Sequence, residues 1–119
     1  MLSDRPATVA RMAASRILRG IDLRYVLTRI LQLYGPCSVS ELVSRLHSWG
    51  FAVEGRPSKT VSDALRWEIA HGRVCRRGRG RYLPAWAPRS TEYRIIHRVQ
   101  ALLDEVLSLE GGHRPLFPD

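Results

Sequence analysis

The residues able to do chemistry in this 119-residue chain are concentrated between Arg56 and Leu83, and their chemistry is the gripping of polyanions. Arg56, Lys59, Arg66, Arg73, Arg76, Arg77, Arg79 and Arg81 stand there against only Asp63 and Glu68. That is a net +6 within a chain whose formal net charge is +8. Lys59 is the one lysine among 19 basic residues. Guanidinium groups hold phosphates and guanine edges through paired N–H donors, which an ammonium group cannot do. A GC-rich coding bias would explain arginine over lysine but not the clustering. An excess of this kind draws nucleic acid or anionic lipid to the surface.

Other chemistries find little support. No glycine-rich phosphate loop opens a helix, and Ser, His and Asp occur without a nucleophile motif, so no catalytic residue and no enzyme is expected. His47, His71, His97 and His113 lack ligand spacing, and Cys37 and Cys75 form neither a disulfide framework nor a zinc pair. The expectation is no metal and no cofactor, in a reduced, cytoplasmic setting at the nucleoid. No apolar run approaches the roughly 18 residues of a membrane span, so no membrane partner is expected.

The elements that must position the basic segment are legible from periodicity and caps. Residues 1–20 are Arg-rich and nearly free of acid. They read as a basic arm or a short helix over 7–18 ended by Gly20, with a transit peptide as the minor alternative. Asp22 can cap a helix carrying Leu23, Val26, Leu27, Ile30, Leu31 and Tyr34, stopped by Gly35-Pro36. Ser38 and Glu41 form a capping box, opening a helix with Val39, Leu42, Val43, Leu46 and Trp49 on one face and Gly50 at its end. Phe51-Ala52-Val53 reads as a brief strand.

Ser58 can cap the third helix, from Lys59 to about His71, which Gly72 breaks. Val61, Leu65 and Ile69 point inward with Ala64 and Glu68 flanking them, while Lys59, Thr60, Asp63, Arg66, Trp67 and Ala70 point outward. A large aromatic on a polar face has something to cover, either a ligand or the C-terminal segment. Arg73–Arg76 and Arg81–Leu83 then flank Arg77-Gly78-Arg79-Gly80 as a β-hairpin, its tip arginines left for solvent or a polyanion. Pro84 to Pro88 form a rigid connector, with Trp86 expected on the core. A helix from Thr91 to Leu109, capped by Ser90 or Thr91, carries Ile96, Val99, Leu103 and Val106 at three-four-three spacing, widened by Ile95, Leu102 and Leu109. That stripe suits folding back onto the domain or pairing in a homodimer. Residues 111–119 read as a tail.

The order helix, capped helix, short strand, helix, hairpin over residues 22 to 83 resembles the winged helix-turn-helix domain. Within that superfamily, GRPSKTVSDALRWEIAHGRVCRRGRGRY is similar to HARE-type helix-turn-helix modules and small actinobacterial winged-helix regulators. The resemblance implies a recognition helix from Lys59 to Ala70 and a wing from Arg76 to Arg81. Ser58, Lys59, Thr60, Asp63 and Arg66 would face bases or backbone, and Arg77 and Arg79 a minor groove or phosphates. The expected fold is therefore mainly α with a small β-hairpin, a winged helix-turn-helix over 21–88 with an added C-terminal helix over 89–110. The expected partner is double-stranded DNA, bound by a transcription regulator or nucleoid-associated factor through Arg56, Ser58, Lys59, Thr60, Asp63, Arg66, Trp67, Arg73, Arg76, Arg77, Arg79 and Arg81. The alternatives are a protein-interaction module using Trp67, Trp86 and the C-terminal stripe, and RNA binding through the Arg-Gly hairpin.

Overall fold

The computed structural model describes residues 15–109, so residues 1–14 of the arm expected over 1–20, and the tail expected over 111–119, lie outside the described residues. Its first element corrects the reading of the chain start. Arg16–Leu18 is a strand (β1), not the end of a helix, and it pairs in parallel with Phe51–Val53 (β2), Arg16 opposite Phe51 and Leu18 opposite Val53. The β-branched and apolar run Ile17-Leu18 suits a strand that buries one side, and Leu18 is fully buried. Gly20 begins the next helix instead of ending one.

That helix spans Gly20–Tyr34 (α1) and buries Leu23, Val26, Leu27, Ile30 and Leu31, the stripe set by its apolar spacing. Its N-cap is Arg19, without a side-chain cap, so Asp22 is not the cap. Asp22 sits in the first turn and accepts a bidentate bond from Arg98 at 2.9 and 3.0 Å. A carboxylate there favours the positive helix end while tying the helix to a distant one. The helix Val39–Ser48 (α2) opens with the expected box: Glu41 N–H donates to Ser38 Oγ at 3.2 Å, and Ser38 N–H to Glu41 Oε1 at 2.9 Å. Trp49 and Gly50 turn the chain into β2.

The third helix spans Pro57–Ala70 (α3), with Arg56 as N-cap and proline at its first position. Ser58 lies inside the first turn and is not the cap, because proline supplies the fixed φ that starts the helix. Val61 and Leu65 are fully buried. Val74–Arg76 (β3) and Tyr82–Pro84 (β4) form the expected antiparallel hairpin, with Val74 opposite Pro84 and Arg76 opposite Tyr82. Cys37, just before α2, extends it by one bridge to Tyr82.

The last helix spans Arg89–Leu109 (α4). Glu92 N–H donates to Pro88 O at 3.0 Å, so the helix starts before Ser90 and Thr91, and neither caps it. Ile95, Val99, Leu102 and Val106 are buried against the rest of the chain. Of the two readings of the stripe, the structure shows the folding back: Val99 and Val106, candidates for a dimer seam, are buried in the core, and Ile96 and Leu103 are half-buried. The side chains that bond α4 to its own domain, Arg98 to Asp22 and Glu105 to Arg16, explain the choice. Trp86 is also corrected. It is 84% exposed, held away from the core between two prolines. Among the described residues, four helices and two two-stranded sheets thus surround one apolar core, and none of these helices is long and apolar enough to cross a membrane.

Candidate nucleic-acid interface

The start of α3 is open by construction. Arg56 is extended (φ −77°, ψ 120°) and offers no side-chain cap, and Pro57 has no N–H. Thr60 N–H makes the first helical bond, to Arg56 O at 2.9 Å. The amides of Ser58 and Lys59, the second and third helical positions, have no acceptor within the helix. They border a shallow groove lined by Arg56, Pro57, Ser58, Lys59 and Ser62. A helix start flanked by two cations is an electropositive corner suited to a phosphate oxygen.

Along the outer face, Asp63 joins the two cations on either side of it. Lys59 Nζ lies 3.0 Å from Asp63 Oδ2, and Arg66 Nη1 lies 3.1 Å from Asp63 Oδ1. The bond from Lys59 is the chief reason the Asp63 carboxyl is held below its ordinary range. The side chains of Lys59 and Arg66 remain 67% and 76% exposed, so their other N–H donors face outward. Three charged groups at i, i+4 and i+7 thus form one fork on the helix surface.

Three of the expected contacts are engaged elsewhere. Thr60 Oγ1 donates to Glu54 O at 2.7 Å, which locks the start of α3 onto the end of β2. Arg73 is the larger correction. Its Nε donates to Glu68 Oε1 at 2.8 Å and its Nη2 to Glu68 Oε2 at 3.2 Å, so this guanidinium is committed to a carboxylate of its own chain. Trp67 is the third. The His71 ring stacks on it at 3.5 Å and 11°, and the Arg24 guanidinium lies 3.9 Å from its centroid, leaving the residue 39% exposed. Trp67 thus packs against His71, Arg24 and Arg73 of its own chain.

Glu68 is the residue that sequence reasoning undervalued. It is fully buried, at the meeting of α3, α1 and the approach to β3. Arg24 Nε lies 3.2 Å from its Oε2, and Thr28 Oγ1 lies 3.4 Å from its Oε1, in addition to the two bonds from Arg73. A carboxylate survives such burial only when its lone pairs are filled by charged donors. The available signal was its place on the Val61-Leu65 side of the helix, with an arginine five residues on.

The hairpin divides its arginines. Arg81 Nη1 is 3.3 Å from Glu41 Oε1 and 3.4 Å from Pro36 O, which ties β4 to the start of α2. Arg76 leans toward the Tyr82 ring at 5.8 Å. Arg77 N–H donates to Arg81 O at 2.8 Å and closes the turn, while Gly78 and Gly80 take the positive φ of 63° and 69° that its shape requires. Among the described residues, the side chains of Arg56, Arg77 and Arg79 meet no carboxylate at ion-pair distance. The structure therefore brings together Arg56, Ser58, Lys59, Asp63 and Arg66 along α3, presents Arg76, Arg77 and Arg79 on the hairpin, and withdraws Thr60, Arg73 and most of Trp67. Arg81 is shared between the surface and α2.

No group of His, Cys, Asp and Glu among the described residues could hold a metal ion. Burial pushes the Cys37 thiol above its ordinary range, which suits a core residue and not a nucleophile. Comparison with family models, with curated proteins and with solved structures finds no match to the chain.

Proposed function

We propose that this chain binds double-stranded DNA as a winged helix-turn-helix protein, either a regulator of transcription or a nucleoid-associated factor. In this reading α3 enters the major groove and the β3–β4 turn lies along the backbone or in a minor groove. The order α1, the single bridging residue Cys37, α2, the short strand β2, α3, β3 and β4, with Cys37 bridging Tyr82, supports the winged-helix reading.

The observation that carries the reading is the unequal use of carboxylates. Asp22, Glu41, Glu54, Asp63, Glu68 and Glu105 are all paired with cations inside or beside the fold, yet among the described residues Arg56, Arg76, Arg77 and Arg79 of this segment meet no carboxylate, nor do Arg29, Arg45, Arg89 and Arg94 elsewhere. Like charges left unpaired near one another cost stability unless a polyanion compensates them. Phosphate contacts would then supply most of the affinity, and binding should weaken as salt rises. Fluorescence anisotropy with a labelled duplex tests this, alongside single-stranded and duplex RNA in the same assay. Stronger binding to RNA than to DNA would move the function to the Arg-Gly hairpin alone.

One observation favours a second reading, a protein-interaction module. Trp86 stands almost fully exposed on a proline-bounded segment, and exposed tryptophans are enriched at protein interfaces. A partner retained after nuclease treatment and lost on Trp86→Ala would support it.

A further inference from the structure

We infer that Asp63 is a selectivity residue, which suppresses the grip of α3 on bare phosphate and leaves Arg66 oriented to read a guanine edge. The inference rests on the duplex-binding reading and names how that same face discriminates. Asp63 is half exposed and sits between two cations that it holds at 3.0 and 3.1 Å, in the middle of the face directed away from the core. Lys59, Asp63 and Arg66 together carry +1, where the two cations alone would carry +2. A carboxylate at this position repels any phosphate oxygen that approaches the middle of the face, so loose binding along a backbone is disfavoured. The repulsion fades when the helix is seated in a groove where Asp63 meets donors, such as a cytosine amino group, in place of phosphates.

The same contact orients Arg66. Only Nη1 of its guanidinium is bound by Asp63, so the remaining N–H donors are free while the contact biases the side chain toward one direction along the face. A guanidinium biased in this way loses less side-chain freedom on forming a bidentate bond to guanine O6 and N7 than an unpartnered one. Asp63 therefore acts on selectivity twice, by penalising the wrong contact and by preparing the right one. Removing its charge should strengthen binding to unselected DNA and weaken the distinction between sequences.

The test compares Asp63→Asn with wild type on two labelled duplexes, one enriched by wild-type protein from a random pool and one unselected. Glu92→Gln, which removes an exposed carboxylate from the first turn of α4, is the control for total charge. For Asp63→Asn we expect roughly three- to tenfold tighter binding to the unselected duplex, with a salt slope steeper by about one. The preference for the enriched duplex should fall about tenfold. Glu92→Gln should change neither ratio. Unchanged or weaker binding of Asp63→Asn to the unselected duplex, or an equal gain in Glu92→Gln, overturns the role of Asp63 while leaving duplex binding intact. Failure of wild-type protein to bind any duplex is a different result, and overturns the reading on which the inference rests.

Discussion

Arg73 is held by Glu68 through two bonds, at 2.8 and 3.2 Å, and the carboxylate that holds it is completely buried. This pair joins the last turn of α3 to the entry of the hairpin. With Arg24 and Thr28 it also fixes both to α1. The relative position of helix and hairpin, on which any shared surface depends, thus rests in part on one carboxylate, beside the Arg73 N–H bond to Glu68 O and the burial of Val74.

Removal of Glu68 should be costly. Glu68→Ala leaves two partly buried guanidinium groups without a counter-charge, and we expect a loss of about 2 to 4 kcal/mol. Arg73→Ala should cost less, because Arg24 and Thr28 still fill part of the carboxylate. Urea unfolding of both single variants and the double variant measures the coupling, and strict additivity would contradict a shared cluster.

Gly50 should tolerate no side chain. It is buried with φ +91°, and a Cβ there would overlap Val106 Cγ1 on α4. Backbone strain and overpacking together predict a loss of about 2 to 4 kcal/mol for Gly50→Ala. Adding Val106→Ala relieves the overlap but not the strain. Thermal unfolding should then show the double variant to be more stable than the sum of the two single effects implies.

The start of α2 predicts acid sensitivity. The Ser38 backbone N–H, followed by the cations Arg81 and Arg45, holds the Glu41 carboxyl below its ordinary value of about 4.5. Arg19 does the same for Glu54, and Lys59 for Asp63. A carboxyl with a lowered folded-state pKa contributes stability that is present above its unfolded value and lost as pH falls through the folded one. The urea midpoint should therefore fall as pH drops below about 4.5. Glu41→Gln keeps an acceptor for Ser38 but no titrating charge, so its midpoint should fall less over the same range.

Trp86 should be dispensable for folding. With 84% of it exposed, Trp86→Ala is expected to shift stability by no more than about 0.5 kcal/mol. A larger loss in urea unfolding would show that the connector depends on the ring.

The core helices were legible because local signals agreed with packing. Apolar spacing marked the buried faces of α1 and α3, and Ser38 with Glu41 marked the start of α2. The hairpin was legible from Gly78 and Gly80. What escaped depended on partners far away in sequence. Arg16–Leu18 is a strand only because Phe51–Val53 lies beside it, and a three-residue run has no periodicity to show. The choice of Val99 and Val106 for the core was undecidable from a stripe that also suits a dimer. Among the candidate site residues, the positions of Lys59, Asp63 and Arg66 followed from helical spacing. The capture of Arg73 by Glu68 did not, since charge counting treats every arginine as free. Thr60 was misjudged for the same reason, its acceptor being a backbone carbonyl outside the helix.

The central claim is that the hairpin tip and α3 meet the phosphates of a duplex, and a salt titration of duplex affinity tests it most directly. For wild-type protein the affinity should fall linearly on a log–log plot against salt. Arg77→Ala with Arg79→Ala should reduce the slope by about two while leaving the unfolding midpoint unchanged, since neither side chain meets a carboxylate among the described residues. Affinity that is indifferent to salt, or a double variant that binds as tightly as wild type at every salt concentration, would contradict the account.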